Sequence, residues 1–186
     1  MGSISFWMCL ILTICTWHKT FGCTWMRTLP QSRSMFQVFS NNTITVLREM
    51  GHVVSREPQI TFPYEEYRHV DHFKDDDKIV FISQTLNAIE KLYRSDNYDS
   101  FWDQKVVDEF MIDLHRQTSE LDQCVKAIRA TLPKSDKGVN KNMSLHFKFL
   151  NNYLKREEYS ASGWEGIRKV VLAHMLRLVT IILTNQ

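Results

Sequence analysis

Apolar positions along this chain fall into five stretches with helical spacing, and no stretch alternates apolar with polar residues as a half-buried strand does. The first runs from about Met35 to Met50, with Phe36, Phe39, Thr43, Leu47 and Met50 on one stripe. Ser32 or Ser34 caps it and Gly51 ends it. The second runs from Lys78 to about Arg94. Its seam of Ile79, Ile82, Leu86, Ile89 and Tyr93 alternates steps of 3 and 4, and Asp77 is its N-cap. The third spans about Phe101 to Thr131, with Val107, Phe110, Leu114, Leu121, Val125 and Ile128 inward. The fourth covers about Val139 to Lys155, with Met143, Phe147, Leu150 and Leu154 inward. The fifth follows a turn from Ser160 to Gly163 and reaches Leu183. Trp164, Ile167, Val171, Met175, Leu178 and Ile182 form its stripe, and further apolar residues widen the stripe almost all the way round. A helix of that kind is buried by its neighbours. A membrane span is the alternative, but His174 and Arg177 interrupt a run already short of the roughly 20 residues a crossing needs.

Between the first and second helices, His52 to Asp77 shows no periodicity and is broken by Pro58 and Pro63. A connection of that length spans a bundle, so the first two helices can run parallel. The expected class is all-α: a four-helix bundle wired up-up-down-down, as in helical cytokines, with an additional fifth helix. Within the connection, His69, Asp71 and His72 have too few companions for a metal site and read as a polar loop.

The N-terminus changes the picture. Ile4 to Trp17 is an apolar run of signal-peptide length, and Thr20 and Gly22 are the small residues preceding a cut before Cys23. The expected division is a signal peptide at 1–22 and a single helical domain at 23–186, secreted and without membrane insertion of the mature form. The full sequence carries a formal net charge of +2, too little for binding to nucleic acid or membranes by bulk charge, and its Lys and Arg residues are scattered along the chain. Cleavage removes Cys9 and Cys15 and leaves Cys23 and Cys124, an even pair in an oxidising compartment. A bridge between them would close a loop of about 100 residues, which the chain-entropy model credits with roughly 4 to 5 kcal/mol. Two free or intermolecular thiols are the other reading. Two sequons, at Asn41 in the first helix and Asn142 at the start of the fourth, are candidate glycosylation sites.

Catalytic constellations are missing from the sequence. There is no phosphate-binding loop, no dinucleotide-binding turn and no Gly-x-Ser-x-Gly elbow. Cys124 with His115 or His146 makes a weak nucleophile pair beside the disulfide reading, and His174 reads as a satisfied core histidine. A helical carrier or enzyme would need inward polar groups, for which only His146, His174 and Thr118 are candidates. Binding, with no enzymatic activity and no cofactor, is the function class that remains.

The start of the last helix narrows this further. Tyr159-Ser160-Ala161-Ser162-Gly163-Trp164-Glu165-Gly166-Ile167-Arg168 resembles the Tyr-Ser-x-Cys-Ala-Trp-Glu-x-x-Arg pattern of type I interferons. Leu121-Asp122-Gln123-Cys124-Val125 is similar to the segment that holds a family cysteine late in the third main helix, and Cys23 matches its usual partner. Ser162 stands where many mammalian members have a second-bridge cysteine, and the first connection has none, as in the two-cysteine group of bony fish. The resemblance implies a secreted antiviral cytokine that pairs two class II cytokine-receptor chains and triggers JAK-STAT signalling. An interleukin-10-like helical cytokine is the alternative. By the resemblance, one receptor chain sits against the first helix, the first long loop and the last helix, and the other against the second, third and fourth helices. Arg168 is carried over as a receptor contact and Trp164 as a packing residue. Glu165, Lys169 and Leu172 are read as sharing an outward face with Arg168, and Arg33 and Arg48 are added from the first helix.

Overall fold

The computed structural model describes residues 23–28, 32–51, 60–94, 102–129 and 137–181. Six helices make up its regular structure: α1 (Met35–Glu49), α2 (Tyr64–Val70), α3 (Asp75–Tyr93), α4 (Gln104–Arg129), α5 (Lys137–Arg156) and α6 (Ala161–Val179).

Ser34 caps α1 through a capping box: its hydroxyl accepts from the Gln37 N–H, and the Gln37 side chain accepts from the Ser34 N–H. Helix α4 starts at Gln104 and not near Phe101, and two other starts also differ from the sequence reading. The α3 helix begins at Asp75, so Asp75, Asp76 and Asp77 form its first turn and Lys74 occupies the cap position. Carboxylates there complement the positive end of the helix dipole without capping it. The turn expected at Ser160 to Gly163 is shorter: Ser160 caps α6 by accepting from the Gly163 N–H, and Gly163 is already helical. The connection expected to be irregular contains the seven-residue helix α2, which buries Tyr67 and Val70.

Side-chain contacts set the directions. Ser40 in α1 bonds Gln117 in α4, and Asn42 bonds the earlier Asp113, so these helices are antiparallel. Ser83 near the start of α3 bonds Asp122 late in α4, while Tyr93 at its end packs on Trp102 and Phe110, so α3 and α4 are also antiparallel. Helices α1 and α3 are therefore parallel. Trp164 at the start of α6 meets Tyr93 and Trp102, so α6 runs down with α4. That is the up-up-down-down arrangement, with α5 as the additional helix joining α4 to α6. It reaches α6 through a tight turn in which Glu158 and Tyr159 have φ values of 51° and 54°.

A single core runs through the bundle, with Leu47, Ile82, Leu86, Phe110, Leu114, Leu150, Leu154, Trp164, Ile167 and Leu178 all sealed from solvent or nearly so. Cys23 and Cys124 form a disulfide that ties the segment before α1 to the late part of α4. No helix among the described residues is long and apolar enough to cross a membrane.

Candidate functional site

Arg168 lies one helical turn beyond Trp164, which places it beside the buried stripe of α6. Its relative exposure is only 7%, and that of Glu165 is 2%. The two form a bidentate ion pair, Nε to Oε2 at 2.8 Å and Nη2 to Oε1 at 2.6 Å. Arg168 Nη1 donates to the Leu47 carbonyl at 2.6 Å, which satisfies one of the orphan acceptors at the end of α1. Gly51 follows immediately, and a Cβ there would lie 2.9 Å from Arg168 Nη2. The hydrogen bonds from Arg168 to Glu165 favour its charged form over the opposing effect of burial. This corrects the outward face expected for Glu165 and Arg168: the pair is an internal clamp between α6 and the end of α1.

The other expected contact residues are dispersed. Lys169 and Leu172 are half-buried on α6. Arg48 is exposed in the last turn of α1, at the end the Arg168 clamp holds. Arg33 is exposed but precedes α1, so a whole helix of about 22 Å separates it from Arg48. Trp164 is fully buried against Tyr93 and Trp102, at 5.4 and 5.7 Å between ring centroids, as a packing residue. Asn142 is exposed and lies within α5, and Asn41 is half-buried inside α1. The expected signal peptide and its cut lie outside the described residues.

A second polar cluster joins α2, α5 and α6. The Tyr67 hydroxyl is 2.7 Å from His174 Nδ1, and His174 Nε2 is 3.0 Å from His146 Nε2. Phe147 stacks on His174, and Phe62 packs against both His174 and Tyr67. Arg177 lies over the Tyr67 ring and pairs with Asp71. Burial holds His146 down at about 4. Burial, and then the neighbouring His146, hold His174 well below the usual histidine value. Burial pushes the Tyr67 hydroxyl up, against the Arg177 charge. Both imidazoles are neutral at pH 7, and their nitrogens lock the short helix onto the bundle. His174 is thus a satisfied core histidine. The sequence offered two signals for this cluster: His174 on the apolar stripe of the last helix, and His146 as an inward polar candidate beside the fourth helix's seam.

Two further networks pin α4. The buried Gln117 side chain accepts from Ser40 and donates to Thr43. Glu90 of α3 bonds Arg94, His115 and Thr118. Burial works to raise the Glu90 pKa, but those hydrogen bonds outweigh it and carry it below the ordinary value. Among the described residues, no group of three His, Cys, Asp or Glu is placed to hold a metal ion.

The buried clamp and the disulfide tie the helices of the bundle to one another. An interferon alpha/beta domain model matches residues 33–184. The chain belongs to the interferon alpha/beta family. Interferon a3 of Oncorhynchus mykiss is 30% identical over 181 residues, covering 96% of this chain and 95% of its own. Among solved structures, zebrafish interferon 1 superposes with a TM-score of 0.70 at 31% identity, covering 78% of this chain and 93% of its own. Zebrafish interferon 2 shares the fold with a TM-score of 0.64 at 20% identity, covering 77% and 97%. This chain is therefore an interferon cytokine that binds cytokine receptors, and no enzyme. Membership in the interferon family displaces the interleukin-10-like alternative.

Proposed function

We propose that this interferon is secreted after loss of residues 1–22 and pairs two class II cytokine-receptor chains, triggering JAK-STAT signalling and antiviral genes. The observation that carries the two-chain reading is the placement of solvent-facing apolar groups on helices with largely different neighbours. On α5, Leu145 and Phe149 are 54% and 46% exposed, one turn apart. On α1, Met35 and Val38 are exposed next to the exposed Arg33, and Arg48 is exposed in the last turn, about 15 Å beyond Val38. Helix α1 packs on α4 and α6, whereas α5 packs on α2, α3 and α6. Exposed apolar side chains ringed by polar ones are how interfaces are built on a rigid scaffold.

One receptor chain is assigned to α1 with the half-buried Lys169 and Leu172 of α6, and the other to the side formed by α3, α4 and α5. Arg168 supports the first surface from inside. The sequons at Asn142 and Asn41 are the proposed glycosylation sites, and the exposed Asn142 is the more accessible of the two.

The test treats receptor-competent cells with the secreted, folded protein. Phosphorylated STAT proteins and induced antiviral genes are expected at low concentration, and silence would sink the reading. Arg48→Glu should weaken binding to one isolated receptor chain and Phe149→Ala binding to the other. Loss of binding to the same chain in both variants would reject the two-surface assignment.

A further inference from the structure

The α5 helix is unusual in charge. It carries Lys137, Lys141, Lys148, Lys155 and Arg156 and no acidic residue. Arg156 is matched by Glu157, which follows the helix. The remaining cations are ordered. Lys141, Ser144, Lys148, Asn151 and Lys155 follow steps of 3 and 4, so they share one face. That face borders a groove of about 490 Å³ between α3 and α5. Lys91 of α3 and Lys148 of α5 both line the groove, and no carboxylate lines it. Its apolar lining includes Leu92 and Phe147. Lys91, Lys141, Lys148 and Lys155 are exposed, and none forms an ion pair among the described residues. The scattered lysines of the sequence thus become a row in the fold.

We propose that the α3–α5 groove binds a linear sulfated polysaccharide of the cell surface or matrix. Three observations favour that occupant. Lysines seven residues apart on a helix stand about 10 Å apart, so Lys141 to Lys155 form a row roughly 20 Å long. A polyanion with charges all along its length meets every member of such a row, and releases counterions as it does. An apolar lining beneath a cationic rim also suits sugar rings, which present C–H faces while their sulfates project sideways. The whole chain carries only +2, so the attraction belongs to this patch and not to bulk charge. The biological setting rests on the secretion proposed above, but binding itself does not.

The test is surface plasmon resonance of the purified, folded protein on immobilised heparin and on chemically desulfated heparin, in 0.15 M NaCl. The natural protein should bind heparin and not its desulfated form. Replacing Lys91, Lys141, Lys148 and Lys155 together by Gln should weaken binding about tenfold or more, with a shallower salt dependence. A control removing four charges elsewhere, Lys74, Lys105, Lys126 and Arg129 to Gln, should stay within about twofold of the natural protein. Equal weakening of both variants would mean bulk charge and overturn the proposal. Unchanged affinity of the groove variant, or no preference for sulfate, would do the same. Unchanged heparin affinity with lost signalling on cells that lack glycosaminoglycans would assign the lysines to a receptor contact and reject the polysaccharide. A protein that binds heparin as expected but is not secreted would fail the functional reading alone.

Discussion

Replacing Arg168 by Ala leaves the Glu165 carboxylate buried without its partner and the Leu47 carbonyl without its donor. Breaking a buried pair from one side costs about 3 to 5 kcal/mol, so thermal melting followed by circular dichroism should show a large drop. An unchanged melting temperature would mean the clamp is not formed. The inward position of Arg168 was legible in part: Trp164 and Arg168 are four residues apart, hence on one face, and Trp164 belongs to the apolar stripe. The family pattern pointed outward instead, and periodicity cannot show that a nearby carboxylate and a distant carbonyl will neutralise a buried guanidinium. The histidine pair gives a second expectation at this scale. Both folded-state pKa values lie below the ordinary histidine value, His146 at about 4. As pH falls below about 6.5, the unfolded chain takes up protons that the folded one refuses. Stability should therefore decline from pH 6.5 towards 4, approaching about 1.4 kcal/mol per pH unit for each histidine. Urea midpoints at several pH values measure the slope, and His146→Gln, which removes one titrating group, should flatten it.

At the scale of elements, the long helices were readable because each repeats its apolar stripe over several turns. The third begins at Gln104, with Trp102 and Asp103 outside the helix, so the start expected near Phe101 came about a turn early, while the expected end at Thr131 lies outside the described residues. The short α2 offered only Tyr67 and Val70, one turn of pattern following Pro63, which periodicity cannot separate from loop. The capped start of α1 was visible as a serine followed three residues later by Gln37, and Ser34→Ala should cost about 1 kcal/mol in chemical denaturation. The α5–α6 turn carried no glycine to announce it, yet Glu158 and Tyr159 both sit in the left-handed region. Glycine adopts that region without steric penalty. Glu158→Gly is expected to raise stability by about 0.5 to 1 kcal/mol, and a loss in the urea midpoint would count against the strain argument.

At the scale of the molecule, the wiring followed from loop length: a connection long enough to travel the bundle lets α1 and α3 run parallel. The seven-residue spacing of Lys141, Lys148 and Lys155 was readable in the sequence, but the groove was not, because only the packing of α3 on α5 brings Lys91 to the same cleft. The covalent tie was legible as an even pair of cysteines and is formed between Cys23 and Cys124. Its closed loop holds α1, α2, α3 and nearly all of α4, while α5 and α6 hang outside it. A protease cut therefore has two distinct outcomes on a gel. One peptide bond cleaved between the two half-cystines leaves a molecule that migrates intact until reductant is added. One cleaved beyond Cys124 releases a fragment at once under denaturing conditions, so a paired reducing and non-reducing lane reports which side of the tie was nicked.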